Sequence, residues 1–333
     1  MTITEIAELA GVSVATVSRA INHQGKVSEE VSRRVLDIVE KYHYVPNATG
    51  RSLRTCRTGM VLILMPGLSN SFYSNIVRGI EQRASENGYN IIAAPTQGKR
   101  GIEDKYLNML HTHQVDGVIA LNTTLNREEI RETGMKLPLV IACECPSGTE
   151  ISSVQVDNQA AAYDAVDALI HMGNSKIGMI SAGCTCNSRQ LREDGYFMAL
   201  RAHEIRRDTD LIVRAENLSY DSGFDACRKL MGSENRPTAL FCYSDQLAIG
   251  ALRYLDQAGL AAGHDVDVIG FDDIDIAGNY LPALSSVAQP CFEMGTTSFD
   301  LLLEKINQIS STPKKVILPH RLVLRDTTHT ITV

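Results

Sequence analysis

A chain of 333 residues, 44% hydrophobic and 21% charged, has the composition of a folded globular protein, which excludes disordered and collagen-like classes. No apolar run reaches the roughly 20 residues of a membrane helix, and a helical pattern begins at Thr2, so neither a membrane span nor a secretory leader is expected. The net charge of −7 is unevenly spread, because residues 1–58 carry eight Lys and Arg against six Asp and Glu whereas the remaining 275 carry 24 against 33. A polyanion should therefore meet the chain through its first segment.

Thr2 and Glu5 have the spacing of a capping box for a first helix, on which Ile3, Ile6, Ala7 and Ala10 form an apolar stripe. Gly11 permits a sharp turn and Ser13 caps a second helix. On that helix Val17, Ala20 and Ile21 point inward, which leaves Val14, Ala15, Thr16, Ser18 and Arg19 for a partner. Ser28, followed by Glu29 and Glu30, opens a third helix to about His43, with Val31, Val35, Ile38, Val39 and Tyr42 as its buried face. A trihelical unit with short side chains at the start of its second helix suits docking in a DNA major groove.

From Thr58 onward apolar strands alternate with helices. Strand signals fall at 60–65, 89–94, 117–121, 139–142 and 154–156, then at 176–180, 239–242 and 267–270, with helical patterns at Phe72–Asn87, Glu103–His113 and Ala160–His171 between them. Such alternation predicts parallel sheets covered on both faces, in two lobes with a cleft between them. The expected class is α/β, with the helix-turn-helix three-helix domain and a hinge preceding two doubly wound lobes.

Three motifs in this order give the chain a family resemblance. The block Ile3–Asn22, the stretch Tyr44-Val45-Pro46-Asn47 through Leu53, and Val268-Ile269-Gly270-Phe271-Asp272-Asp273 resemble the LacI/GalR family of transcriptional regulators over essentially the whole length. The resemblance implies a helix-turn-helix domain at 1–45, a hinge at 46–58, and a periplasmic-binding-protein-like core. One core subdomain would be 59–156 plus about 288–318, the other 157–287 plus about 319–333. It also implies a homodimer on double-stranded operator DNA, with recognition helices in major grooves and hinge helices in the minor groove.

Arg19 is placed to reach a guanine edge, Val14 and Ala15 to read a thymine methyl, and Thr16, Ser18 and Ser28 to hold phosphates. Thr4, Ser13, Asn22, Asn47, Gly50, Arg51 and Leu53 complete the expected DNA-contacting set, with Leu53 as the apolar wedge between base steps. Gly50 stands where the family usually has Ala, at about 1 kcal/mol of helix stability, so the hinge is expected to order poorly and either to bend operator weakly or to tolerate varied half-site spacing.

Ligands of open α/β sheets sit beyond the carboxyl ends of the strands. On that rule the effector candidates are Phe72, Tyr73, Asn122, Cys143, Ser188, Arg192, Leu218, Tyr220, Ser244 and Asp272, with Leu68 and Glu144 nearby. Family position implies that Arg192 and Asp272 hold the effector, and a guanidinium facing a carboxylate suits adjacent ring hydroxyls. Asp245 reads as structural, a cap for the helix beginning near Gln246. Through Val156-Asp157-Asn158, Tyr243-Ser244-Asp245 and Ala288-Gln289-Pro290 the chain most resembles the cytidine-responsive branch, so a nucleoside is the narrower expectation and a sugar the broader one.

Cys-x-Cys pairs at 143/145 and 184/186 follow two strands. Converging thiolates there would bind zinc or copper(I) or act as a redox sensor, but the spacing differs from that of structural zinc sites and free cysteines mostly pack as small hydrophobes. No metal site and no cofactor is expected. Phosphate-cradling, dinucleotide, nucleophile-elbow and zinc-protease motifs are all missing, so an enzyme is not expected. The alternative of a free-standing solute-binding protein would need a leader peptide. Eight cysteines without one fit the cytoplasm. The first-lobe helix Phe72–Asn87 is expected in the dimer interface, and the C-terminus has no leucine heptad for a tetramer.

Overall fold

The computed structural model describes residues 1–21, 25, 27–44, 57–146, 148–309 and 312–329. The chain forms two compact units, Met1–Thr58 and Gly59–Val333. The expectations on Asn22, Asn47, Gly50, Arg51 and Leu53 lie outside the described residues.

In the first unit α1 (Ile3–Ala10), α2 (Val14–Ile21) and α3 (Glu29–Lys41) close on Ile6, Ala7, Ala10, Val17, Ala20 and Val35. The Thr2–Glu5 capping box is formed, and Gly11 ends α1 at φ 63°, a left-handed conformation that favours glycine. Ser13 Oγ accepts from the Thr16 amide at 3.1 Å and Ser28 Oγ from the Val31 amide at 3.4 Å, which satisfies orphan donors of α2 and α3. One expectation is corrected. Tyr42 is 44% exposed rather than buried, because α3 ends at Lys41 and His43 takes a left-handed φ of 49°. Amides of His43 and Tyr44 then donate to the carbonyls of Glu40 and Val39, and Tyr44 swings back onto the core in place of Tyr42.

The second unit holds two sheets. The first contains β1 (Met60–Met65), β2 (Asn90–Pro95), β3 (Gly117–Ala120), β4 (Leu139–Ala142), β5 (Ser153–Val156) and β11 (Lys315–Leu318), in the order β11-β5-β4-β3-β1-β2, all parallel. The second contains β6 (Ile177–Ala182), β7 (Ile212–Ala215), β8 (Ala239–Cys242), β9 (Asp267–Asp272), β10 (Ser285–Ala288) and β12 (Arg321–Val323), in the order β12-β10-β9-β8-β6-β7. Only β12 runs antiparallel there, along β10. The central strands are buried on both faces, as continuous apolar runs require.

Helices α4 (Ser71–Glu86), α5 (Arg100–His111), α6 (Arg127–Lys136) and α11 (Cys291–Ile306) belong to the first lobe. Helices α7 (Asn158–His171), α8 (Asn187–Ala202), α9 (Tyr220–Met231) and α10 (Asp245–Gln257) belong to the second. The chain crosses between lobes after β5, after β10 and after β11. The return after β10 is anchored where α11 lies on α4. A Cβ at Gly79 would strike the Phe292 carbonyl and one at Gly295 the Ile76 carbonyl, so the two backbones touch at both glycines.

Candidate functional site

The cleft between the lobes is built on strand ends. At the carboxyl end of β9, Asp272 and Asp273 have φ of 111° and 53°, and at the end of β4 Cys143 has φ 68°. These are sparsely populated conformations that persist only where the surroundings enforce them. Ser188 and Arg192 lie four residues apart on α8, hence on one face, and both are buried.

Arg192 is the best-held side chain there. Its Nε donates to Asn158 Oδ1 at 2.9 Å and its Nη1 to the Tyr243 carbonyl at 2.5 Å. The guanidinium lies 3.5 Å from the centre of the Phe271 ring and 4.4 Å from that of Tyr243. Its remaining Nη2 is 4.0 Å from Asp272 Oδ1, which also accepts from Gln289 Nε2 at 2.7 Å. Burial pushes the Asp272 carboxyl up to about 6, against the opposing pull of Arg192 and Gln289.

The first lobe contributes Tyr73, beside Phe72 on α4 with the rings edge to face at 5.1 Å. Burial pushes the Tyr73 phenol up, with smaller upward contributions from Cys143, Tyr243, Glu144 and Asp272. Glu144 Oε2 accepts from the Ser188 amide at 3.3 Å, and burial raises its carboxyl as well. Asn187 Nδ2 donates to the Cys145 carbonyl at 3.2 Å and Asn75 Nδ2 to Asp275 Oδ1 at 3.3 Å. These bonds join the two lobes, so opening the cleft would break them. Ser188 Oγ is 2.7 Å from the Tyr243 hydroxyl, whose phenol burial lifts to about 12.

Other candidates stand apart from this group. Ser244 Oγ caps α10, accepting from the Leu247 amide at 3.4 Å. Asp245 is fully buried and structural, but its carboxylate accepts from the Ser286 hydroxyl at 2.6 Å and the Ile274 amide at 2.8 Å instead of capping the helix. Leu218 and Tyr220 are exposed at the start of α9, Leu68 is exposed after β1, and Asn122 is half-buried after β3. Sequence reasoning missed Asn158, Tyr243, Phe271 and Gln289 as site residues. Gln289 follows Ala288, the partner of Asp272 in the β9–β10 register, but Ser285–Ala288 had no strand signal to which the strand-end rule applied. Cys184 and Cys186 form a disulfide, while Cys143 and Cys145 are free thiols, with Cys145 packed into the first-lobe core.

The second candidate surface is α2. Val14 and Ser18, and Ala15 and Arg19, are i,i+4 pairs on the side away from Val17 and Ala20. Val14, Ala15 and Arg19 are exposed, as are Thr4, Ser13 and Ser28, while Thr16 and Ser18 are half-buried. Ser13 Oγ and Thr16 Oγ1 lie 2.9 Å apart, which fixes both hydroxyls at the helix start.

The description "Bacterial regulatory proteins, lacI family" matches residues 2–47, and "Periplasmic binding protein-like domain" matches 166–328. The chain is 33% identical over 330 residues to Catabolite control protein A of Priestia megaterium, covering 98% of this chain and 99% of that protein. The chain belongs to the lacI family. It is 32% identical over 331 residues to the HTH-type transcriptional repressor CytR of Escherichia coli K12, with 99% and 97% covered, so identity alone does not single out one branch. The Lac repressor dimer bound to operator and the anti-inducer ONPF superposes with a TM-score of 0.90 at 26% identity, covering 99% of each chain. The chain is thus a DNA-binding transcriptional regulator and not an enzyme. No helix among the described residues is long and apolar enough to cross a membrane.

Proposed function

We propose that this chain is a cytoplasmic repressor that binds operator DNA as a homodimer through α2, and that a neutral, hydroxyl-rich effector, a nucleoside or a sugar, binds between Arg192 and Asp272. The observation that carries the reading is the Arg192 guanidinium, fixed by Asn158, Tyr243 and Phe271 and facing Asp272 with Nη2 4.0 Å from Oδ1. A fixed donor opposite a fixed acceptor selects adjacent hydroxyls, and Tyr73 supplies an aromatic face for a ring. Asp272 faces the guanidinium and the Glu144 carboxyl group lies on the Ser188 amide one turn before Arg192 on α8, which disfavours anionic ligands such as phosphate esters.

Ligand changes DNA affinity only by the ratio of its affinities for two lobe arrangements, and DNA changes ligand affinity by the same factor. The bonds joining Glu144 to Ser188 and Asn187 to Cys145 would distinguish those arrangements. In calorimetric titration of the full chain, a pyrimidine nucleoside or a hexose should bind and the nucleoside 5′-phosphate should not. Tight binding of the phosphate ester alone would refute the charge reasoning, and binding of a hexose with no nucleoside would refute the nucleoside.

A further inference from the structure

Three side chains of the second lobe, separate from the Arg192–Asp272 group, converge on one point. Asp167 and His171 lie four residues apart on α7, the spacing that puts two ligands on one helix face. His203 is the residue that ends α8, and the packing of α7 on α8 brings it alongside. Asp167 Oδ1 is 2.6 Å from His203 Nε2, and Asp167 Oδ2 is 3.2 Å from His171 Nδ1. The imidazoles meet edge to face with centroids 5.2 Å apart. All three ligand atoms fall within 4.8 Å of one another, and among the described residues no other trio of His, Cys, Asp or Glu does so.

Adjacent ligand atoms of a tetrahedral zinc with bonds of about 2.0–2.2 Å are about 3.3–3.6 Å apart. The 3.2 Å between Asp167 and His171 is close to this, whereas the 2.6 Å hydrogen bond between Asp167 and His203 must open by roughly 0.7–1 Å to admit an ion. The donor set, two imidazole nitrogens and one carboxylate oxygen, suits zinc, cobalt or nickel far better than calcium or magnesium, which take all-oxygen shells. The His171 side chain is 60% exposed, and those of Asp167 and His203 are 28% exposed, so an ion can enter and a water can complete the shell. His171 Nδ1 also lies 2.9 Å from the Asp167 carbonyl, a contact it would exchange for the ion.

We propose that Asp167, His171 and His203 form a surface site for a divalent transition metal of the zinc class, with water as the remaining ligand, contrary to the expectation of no metal site. The ion ties the C-terminal ends of the two helices that carry Asn158 and Arg192 nearer their N-terminal ends, and so braces the pair that orients the guanidinium.

The test uses the full chain, kept reduced and freed of metal by chelation. Titration with Co²⁺ should load about one ion per chain and give a visible band without thiolate charge transfer, and Zn²⁺ should raise the unfolding temperature. His171→Gln, at the most exposed position, and His203→Gln should each weaken Zn²⁺ binding by about tenfold or more and abolish the temperature rise, while their metal-free unfolding stays near wild type. Absence of binding, unchanged affinity in both variants, or a thiolate band that assigns the ion to cysteines would each overturn the proposal.

Discussion

Replacing Asp272 by Asn should make the protein more stable and less able to bind its effector, and the stability gain should depend on pH in a defined way. The Asp272 side chain is 8% exposed, and burial moves its carboxyl from the ordinary 3.8 to about 6. Because the folded-state value lies above the unfolded one, the group favours folding below the unfolded value, and that contribution is lost as pH rises through about 6. At pH 7 the ionised carboxylate therefore destabilises the fold by on the order of 3 kcal/mol relative to a neutral group of the same shape. Asn keeps the Oδ1 acceptor that Gln289 uses at 2.7 Å, but its own amide donors must also be satisfied in a buried place, which leaves a net gain of about 1–2 kcal/mol. The amide term does not titrate. Urea unfolding of wild type and variant should thus show a difference that grows by on the order of 1 kcal/mol between pH 5 and pH 7.5. A variant less stable than wild type at both values, with a difference independent of pH, would refute the reasoning.

Three further outcomes follow from other parts of the fold. Arg19→Ala should leave unfolding unchanged, since the side chain is exposed on α2, yet weaken binding to a selected operator by roughly ten- to hundredfold in a gel shift. Gly295→Ala should lower stability by about 1–3 kcal/mol in urea unfolding, because its Cβ presses on the Ile76 carbonyl where α11 lies on α4. His43→Gly should raise the stability of the first unit by about 1 kcal/mol in thermal unfolding, because φ of 49° is unfavourable for any residue with a Cβ.

How much of this was legible in the sequence depended on what each element buries. Strands such as Met60–Met65 and Asp267–Asp272 are covered on both faces and read as apolar runs, so both lobes could be placed from them. Ser285–Ala288 is buried just as completely, but Ser285 and Ser286 are satisfied by Thr327, Thr328 and Asp245, polar partners that are distant in sequence. A strand held by side-chain hydrogen bonds has no apolar signature, and Gln289 was lost with it. Arg192 and Asp272 entered the candidate set as residues beyond or at the end of strong strands, and family position singled out the pair. Asn158 acts only by where its amide sits relative to Arg192, which no spacing encodes. Tyr42 kept the helical period and was read as buried, since one left-handed residue, His43, redirects the chain to Tyr44 instead.

The central claim is that the Arg192–Asp272 cleft controls the DNA-binding unit. Its most direct test is operator affinity, on DNA selected from a random pool, measured for wild type and Asp272→Asn with and without a saturating neutral nucleoside or sugar. The account predicts that at least one such ligand changes wild-type affinity by about fivefold or more and leaves the variant unmoved. An unchanged wild-type affinity with every such ligand, or an equal change in the variant, would contradict it.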